Sequence, residues 1–182
     1  MKKVLIPLAP GFEEVEALTC VDILRRAGAE VTLAGTIEGE IIGRNLIKVL
    51  PDTLLESVKT ENFDMIVLPG GALGTENLKK DDRVKNIILE HYFAGRLIAA
   101  ICAAPTVLAK IGIIKGRTVT SHPSVRSELT GAVISDERVV TNANIITSQG
   151  PGTAMEFAFT LVEALFGSDK AAEVNKGVLA KY

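Results

Sequence analysis

Three short runs of this chain, Lys3–Leu8, Phe63–Leu68 and Leu97–Ile101, are almost wholly apolar, and each stops abruptly. The first meets Ala9-Pro10-Gly11, the second Pro69-Gly70-Gly71, the third a cysteine set among alanines. A strand with one face in water alternates polar and apolar residues, whereas an unbroken apolar run has to be covered on both faces. Stretches of helical spacing separate these runs. Glu13–Ala27 places Val15, Leu18, Val21, Leu24 and Ala27 on one side, with Gly28 as the stop. Arg83–Phe93, Ala104–Ile111 before Gly112, and Ala154–Phe166 before Gly167 read the same way. Strand alternating with helix predicts βαβ units, a mostly parallel sheet and helices on both of its faces.

The remaining segments fill in that frame. Glu30–Ala34 is a further strand, Ile41–Val49 holds strand pieces around Gly43, and Leu54–Val58 is a short helix. Val119–Ser121 is a short strand. Val139–Thr141 and Asn144–Ser148 form a hairpin candidate around an asparagine-containing turn. Gly150–Thr153 reads as a loop, and Lys79–Arg83 as a solvated turn and helix start. With 182 residues and no repeat, linker or low-complexity stretch, residues 1–182 are expected to form one domain.

Charge and cysteine content narrow the partners. A net charge of −2 leaves no electrostatic footprint for nucleic acid or an anionic membrane. No segment reaches the ~18 unbroken apolar residues of a membrane helix, and the apolar start ends at Pro7, too soon for a secretory signal. Two cysteines, Cys20 and Cys102, make no disulfide framework and fit a reducing compartment, so a cytoplasmic protein is expected. Two histidines and two cysteines without close spacing argue against a zinc site, and no phosphate-loop motif occurs.

In sheets of this kind ligands bind beyond the carboxyl ends of the strands, and the unusual residues cluster there. Cys102 lies on a strand-to-helix turn whose small neighbours permit a sharp elbow. There the helix N-terminus would favour the thiolate, although a free cysteine in such a place is as often an inert core residue. Glu16 either complements the dipole of its helix, as Glu13 and Glu14 would, or turns inward one turn before Cys20 and seven residues before Ile23. Gly70 and Gly71 are either a plain turn or a place where backbone N–H groups meet an oxyanion. His122, after Val119–Ser121 and before Pro123, is within range of a substrate role, while His91, in a helix beside Tyr92, is expected at the surface. Cys20 is expected in the core.

Taken together, "LAPGFEEVEA", "DMIVLPGGALG", "AAICAAPTVLA", "TSHP" and "TSQGPGTAMEFA" resemble, in order and spacing, the ThiJ/PfpI superfamily in its DJ-one branch, over essentially the whole chain. The resemblance implies a flavodoxin-like three-layer α/β/α sandwich, a homodimer, and a low-pKa Cys102 on a strained elbow beside a protonated Glu16. It further implies backbone groups near Gly71 and Ala103 around the sulfur, and His122 nearby. One departure matters: the superfamily's proposed proteases carry a histidine directly after the cysteine, where this chain has Ala103. Peptide hydrolysis is therefore not expected.

Two functions suit the same residues. One is a cofactor-free glyoxalase and deglycase acting on methylglyoxal-type 2-oxoaldehydes or their early glycation adducts, with Cys102 as nucleophile, Glu16 as acid and base, and no metal or glutathione. The other is a redox sensor or redox-controlled chaperone working through oxidation of Cys102. A stable dimer with a vestigial site is the bland third.

Overall fold

The computed structural model describes residues 1–181. In chain order it contains β1 (Lys3–Leu8), α1 (Glu14–Arg26), β2 (Glu30–Gly35), β3 (Ile41–Ile42), β4 (Lys48–Val49), β5 (Thr53–Leu54), β6 (Met65–Leu68), α2 (Ala72–Lys80) and α3 (Asp82–Phe93). There follow β7 (Leu97–Ile101), α4 (Pro105–Ile111), β8 (Thr118–Val119), β9 (Val133–Ile134), β10 (Val139–Asn142), β11 (Ile145–Ser148), α5 (Ala154–Phe166) and α6 (Ser168–Val178). Seven strands form the central sheet in the order β10-β11-β7-β6-β1-β2-β5. All neighbours in it are parallel except β10 and β11, the expected hairpin.

The apolar runs do what unbroken hydrophobicity requires. Alternate residues of one strand enter opposite layers: Val4, Ile6 and Leu8 of β1 join the core under α1, α5 and α6, while Leu5 joins the core under α2, α3 and α4. Ala99 and Ile101 against Ile98 and Ala100 divide β7 in the same way. The result is a three-layer α/β/α sandwich. After β1 the chain passes to β2 on one side and then crosses to β6 on the other, so a crevice opens between the carboxyl ends of β1 and β6.

Several local expectations are corrected. Val15 and Leu18 are exposed, and the buried stripe of α1 is Ala17, Cys20, Val21 and Leu24 together with Glu16 and Ile23. The whole of α2 escapes periodicity because Gly74, Thr75 and Asn77 are poor helix formers. Gly74 is nonetheless needed, since a Cβ there would lie 2.7 Å from the Phe12 backbone. α6 and the two-residue β9 were also not anticipated, and residues 151–153 form one 3-10 turn rather than an open loop. His91 is fully buried, not superficial. It sits on the inward face of α3 with Nδ1 3.1 Å from the Ile87 carbonyl. Burial first, and then the Arg96 charge, push its pKa down to about 4, so it is neutral.

Candidate functional site

The carboxyl ends of β1, β6 and β7 bring Glu16, Gly70, Gly71 and Cys102 together. α1 starts directly beyond the β1 loop and points Glu16 inward, so that its side chain is completely covered. The Gly70 N–H donates to Glu16 Oε2 at 2.8 Å. Oε1 is buried and has no hydrogen-bond partner among the described residues. The Cys102 thiol lies beside the same carboxyl, across Gly70 from Oε2, and the two groups shift each other's ionisation. Gly70 is what permits this pairing: a Cβ on it would stand 2.6 Å from both Cys102 Cβ and Glu16 Oε2. The Gly70 N–H therefore serves the carboxyl, which leaves Gly71 and Ala103 as the N–H donors around the sulfur.

Cys102 has φ +65°, a left-handed conformation that costs a non-glycine residue of order 1–3 kcal/mol. The fold holds it there from both sides. Its N–H donates to the Ser148 carbonyl at 3.0 Å, and its carbonyl accepts from the His122 N–H at 2.9 Å. The N–H groups of Gly71 and of Ala103, just before α4, lie near enough to the sulfur to favour its thiolate. The Pro105 ring at the head of α4 takes a position whose N–H would have no helical partner.

Burial pushes Cys102 up to about 12, reinforced by the charge of Glu16 and its hydrogen bond, while the N–H groups of Gly71 and Ala103 pull the other way. Burial likewise lifts Glu16 to about 7, with the Gly70 N–H opposing. These directions run against the expected low-pKa thiol: shared burial lifts both groups, and only the N–H groups of Gly71 and Ala103 favour the thiolate. A carboxylate poised near neutrality beside a thiol is an effective proton acceptor for it.

Above the sulfur lies a cleft of about 350 Å³ lined by Arg44, Ala72, Cys102, Ala103, His122 and Pro151, among others. His122 is exposed, and its ring turns to Ser124, with Nδ1 2.7 Å from the hydroxyl. Its backbone, not its imidazole, binds the cysteine. Arg44 was not singled out from the sequence. It arrives because the buried Glu14 accepts from Asn45 N at 2.7 Å and from Asn45 Nδ2 at 2.9 Å, clipping the β3–β4 hairpin to the head of α1. Those bonds outweigh burial and hold Glu14 below the usual carboxylate range. Arg44 then pairs with the buried Glu13 at 3.5 Å. The only sequence signal was the run of three acids at positions 13, 14 and 16, all of which proved buried. A larger groove of about 510 Å³ beside Asn77, Lys80 and Arg83 contains none of these groups. Among the described residues no cluster of His, Cys, Asp and Glu is arranged to hold a metal ion. No described helix is long and apolar enough to cross a membrane.

The model of the "DJ-1/PfpI family" matches residues 2–164. Protein dj-1beta of Drosophila melanogaster is 45% identical over 184 residues, covering 100% of this chain and 98% of its own. The glutathione-independent glyoxalase DJR-1.2 of Caenorhabditis elegans is 38% identical over 178 residues, covering 96% and 95%. The crystal structure of Drosophila melanogaster DJ-1beta superimposes with a TM-score of 0.96 at 44% identity, covering 100% of this chain and 99% of that one.

Proposed function

This chain belongs to the DJ-1/PfpI family, and on that premise we propose that it is a cysteine-dependent, cofactor-free glyoxalase converting methylglyoxal-type 2-oxoaldehydes to 2-hydroxy acids such as lactate. The observation that carries the reading is the buried Glu16 carboxyl facing the Cys102 thiol across the bare Cα of Gly70. A Caenorhabditis elegans relative known as a glutathione-independent glyoxalase is consistent with it.

The chemistry requires one movable proton and one nucleophile. As Cys102 Sγ bonds to the aldehyde carbon, Glu16 accepts the thiol proton and passes it to the carbonyl oxygen, giving a hemithioacetal. The Glu16 carboxylate then removes the proton from that carbon and returns it to the adjacent carbon, while the hydroxyl proton of the hemithioacetal passes to the adjacent oxygen, so that the first carbon becomes the thioester carbonyl and the second the new alcohol. One carbon is oxidised and its neighbour reduced, so no external electron acceptor is needed. The product is a lactoyl thioester, and water cleaves it to lactate and the free thiol. The N–H groups of Gly71 and Ala103 stabilise negative charge on sulfur or oxygen, and Arg44 offers a cation at the cleft mouth. His122 shapes the wall. On an aldehyde already condensed with a thiol or amine, Cys102 would take the place of that thiol or amine, which leaves with a proton from Glu16, and the same later steps would make the protein a deglycase.

Exposed Val15, Leu18, Ile42, Leu46, Ile47 and Leu50 lie on α1 and on and beside the hairpin that Glu14 holds to it. We read this apolar face as the seat of a second copy of the chain, which sedimentation of the wild type and of Leu46→Asp tests. The function is tested by incubating wild type and Cys102→Ala with methylglyoxal and following lactate by NMR. Lactate from the wild type alone is the expected result. Lactate from neither overturns the glyoxalase and leaves the peroxide-reactive sensor, read by intact mass after peroxide.

A further inference from the structure

We propose that Ser148 and Thr153 are positioning residues for Cys102: their paired hydroxyls lock the β11–α5 turn whose backbone holds the cysteine in its left-handed conformation. This rests on the reading of Cys102 as the reacting thiol. Both side chains are almost completely buried. The two hydroxyl oxygens are 2.6 Å apart. Two protons serve three contacts here: Ser148 Oγ donates to the Arg138 carbonyl at 2.8 Å, Thr153 Oγ1 donates to the Gly150 carbonyl, and either can turn its proton to the other hydroxyl. Thr153 Oγ1 also accepts from the Gly150 N–H at 3.1 Å and lies 2.9 Å from the Gly150 carbonyl. On the outer side Arg138 Nη2 donates to the Gly152 carbonyl at 2.8 Å. The turn is thereby closed on itself and tied to β10.

What the lock holds is the acceptor of the elbow. Ser148 is the last residue of β11 and pairs with Ile101; its carbonyl receives the Cys102 N–H. The other end of the same turn carries Pro151, a wall of the cleft, and Gly150, which faces the His122 ring. His122 in turn donates its N–H to the Cys102 carbonyl. Both peptide groups of Cys102 therefore depend on this corner. If the corner loosens, φ of Cys102 relaxes toward the extended region, and the peptide joining Cys102 to Ala103 rotates. The Ala103 N–H then leaves the sulfur, and with it goes one of the two donors that favour the thiolate.

The readout is the second-order rate of Cys102 alkylation by iodoacetamide across pH 6–10, with thermal melting and lactate formation on the same samples. Thr153→Val is expected to alkylate about tenfold more slowly at neutral pH, with the profile displaced upward by about one unit. Thr153→Ser, which keeps the hydroxyl, is expected to follow the wild type. Should Thr153→Val fail to fold, Ser148→Ala carries the same expectation, because it leaves the Gly150–Thr153 bonds intact. Alkylation unchanged at every pH in a destabilised variant would mean a merely structural role and overturns the proposal. Wild type that alkylates normally yet forms no lactate overturns the glyoxalase and not this positioning role, since alkylation does not depend on turnover.

Discussion

Cys20 and Cys102 both border the Glu16 carboxyl, Cys20 one turn further along α1 and Cys102 from the end of β7. Burial raises both thiols, and the Glu16 charge raises both further. Their surroundings differ in every other respect. Cys20 lies in a regular helix, with no accessible surface and apolar packing on all sides. Cys102 has left-handed backbone, two N–H groups near its sulfur, and a cleft above it. Proximity to a carboxyl does not make a cysteine reactive. An opening, and backbone donors fixed before any substrate arrives, distinguish one thiol from the other.

The sharpest test of that contrast exchanges the thiols one at a time. Cys102→Ala is expected to abolish both iodoacetamide labelling and lactate formation, whereas Cys20→Ala retains both; labelling of Cys20 in the native protein would erase the distinction. Next in size is Glu16→Gln, expected to lower kcat by about 10²–10⁴ through loss of the proton carrier, measured by steady-state kinetics. The same variant isolates a stability term. Because burial raises the folded-state pKa of Glu16 to about 7 from an unfolded value of 4.5, its contribution is complete below pH 4.5 and is lost as pH rises through 7. Wild type should therefore lose of order 3 kcal/mol between pH 4.5 and 8 that Glu16→Gln does not, seen in denaturant melts.

Gly70→Ala brings the intermediate effect. Its Cβ would part the thiol from the carboxyl, and overpacking at such sites costs about 1–3 kcal/mol. Turnover should fall with it, and a variant as active as wild type would show that the two groups need not touch. The smallest kinetic change is expected from Arg44→Ala, a rise of about fivefold in KM with kcat nearly kept, matching loss of roughly 1 kcal/mol of binding.

His91 extends the comparison to the opposite end of the sheet. It is as buried as Glu16 but faces no cleft, and burial lowers rather than raises its pKa, from 6.5 to about 4. Its contribution is present above pH 6.5 and is lost as pH falls through 4, the reverse of Glu16. His91→Gln should flatten the acid limb of the stability curve measured in the Glu16→Gln background.

The same distinction separates what was legible in the sequence from what was not. β1 and β7 begin and end where the apolar runs do, and α5 spans the helix read from its periodicity, because burial on both faces leaves a mark in composition. α2 left none, being held by the close approach of Gly74 to Phe12 rather than by an apolar stripe. Val15 and Leu18 misled for the opposite reason, since an apolar helical position records coverage without saying by what. At the site, Cys102, Glu16, Gly70 and Gly71 stand at strand ends and helix starts, which sequence can locate, and the fold brings them together. Arg44 reaches the cleft through a hairpin clipped to α1 across about thirty positions of chain, and the hydroxyls of Ser148 and Thr153 bond to the backbone of a turn without touching the Cys102 side chain. Such contacts depend on assembled geometry and carry no local periodicity.

The elbow also fixes when during folding its chemistry begins. Its partners are contributed by residues near positions 16, 70, 122 and 148, so the arrangement requires β1, β6, β7 and β11 to be side by side. Parallel pairings of this sequence separation form late, after long loops have closed. A chain still emerging, or one stalled with β11 undocked, carries an ordinary cysteine in an ordinary conformation. The Cys102 thiol is in effect a completion signal: before the last parallel strand is added it is labelled as an ordinary thiol alongside Cys20, and a pulse of alkylating agent during refolding would time the moment at which the two part.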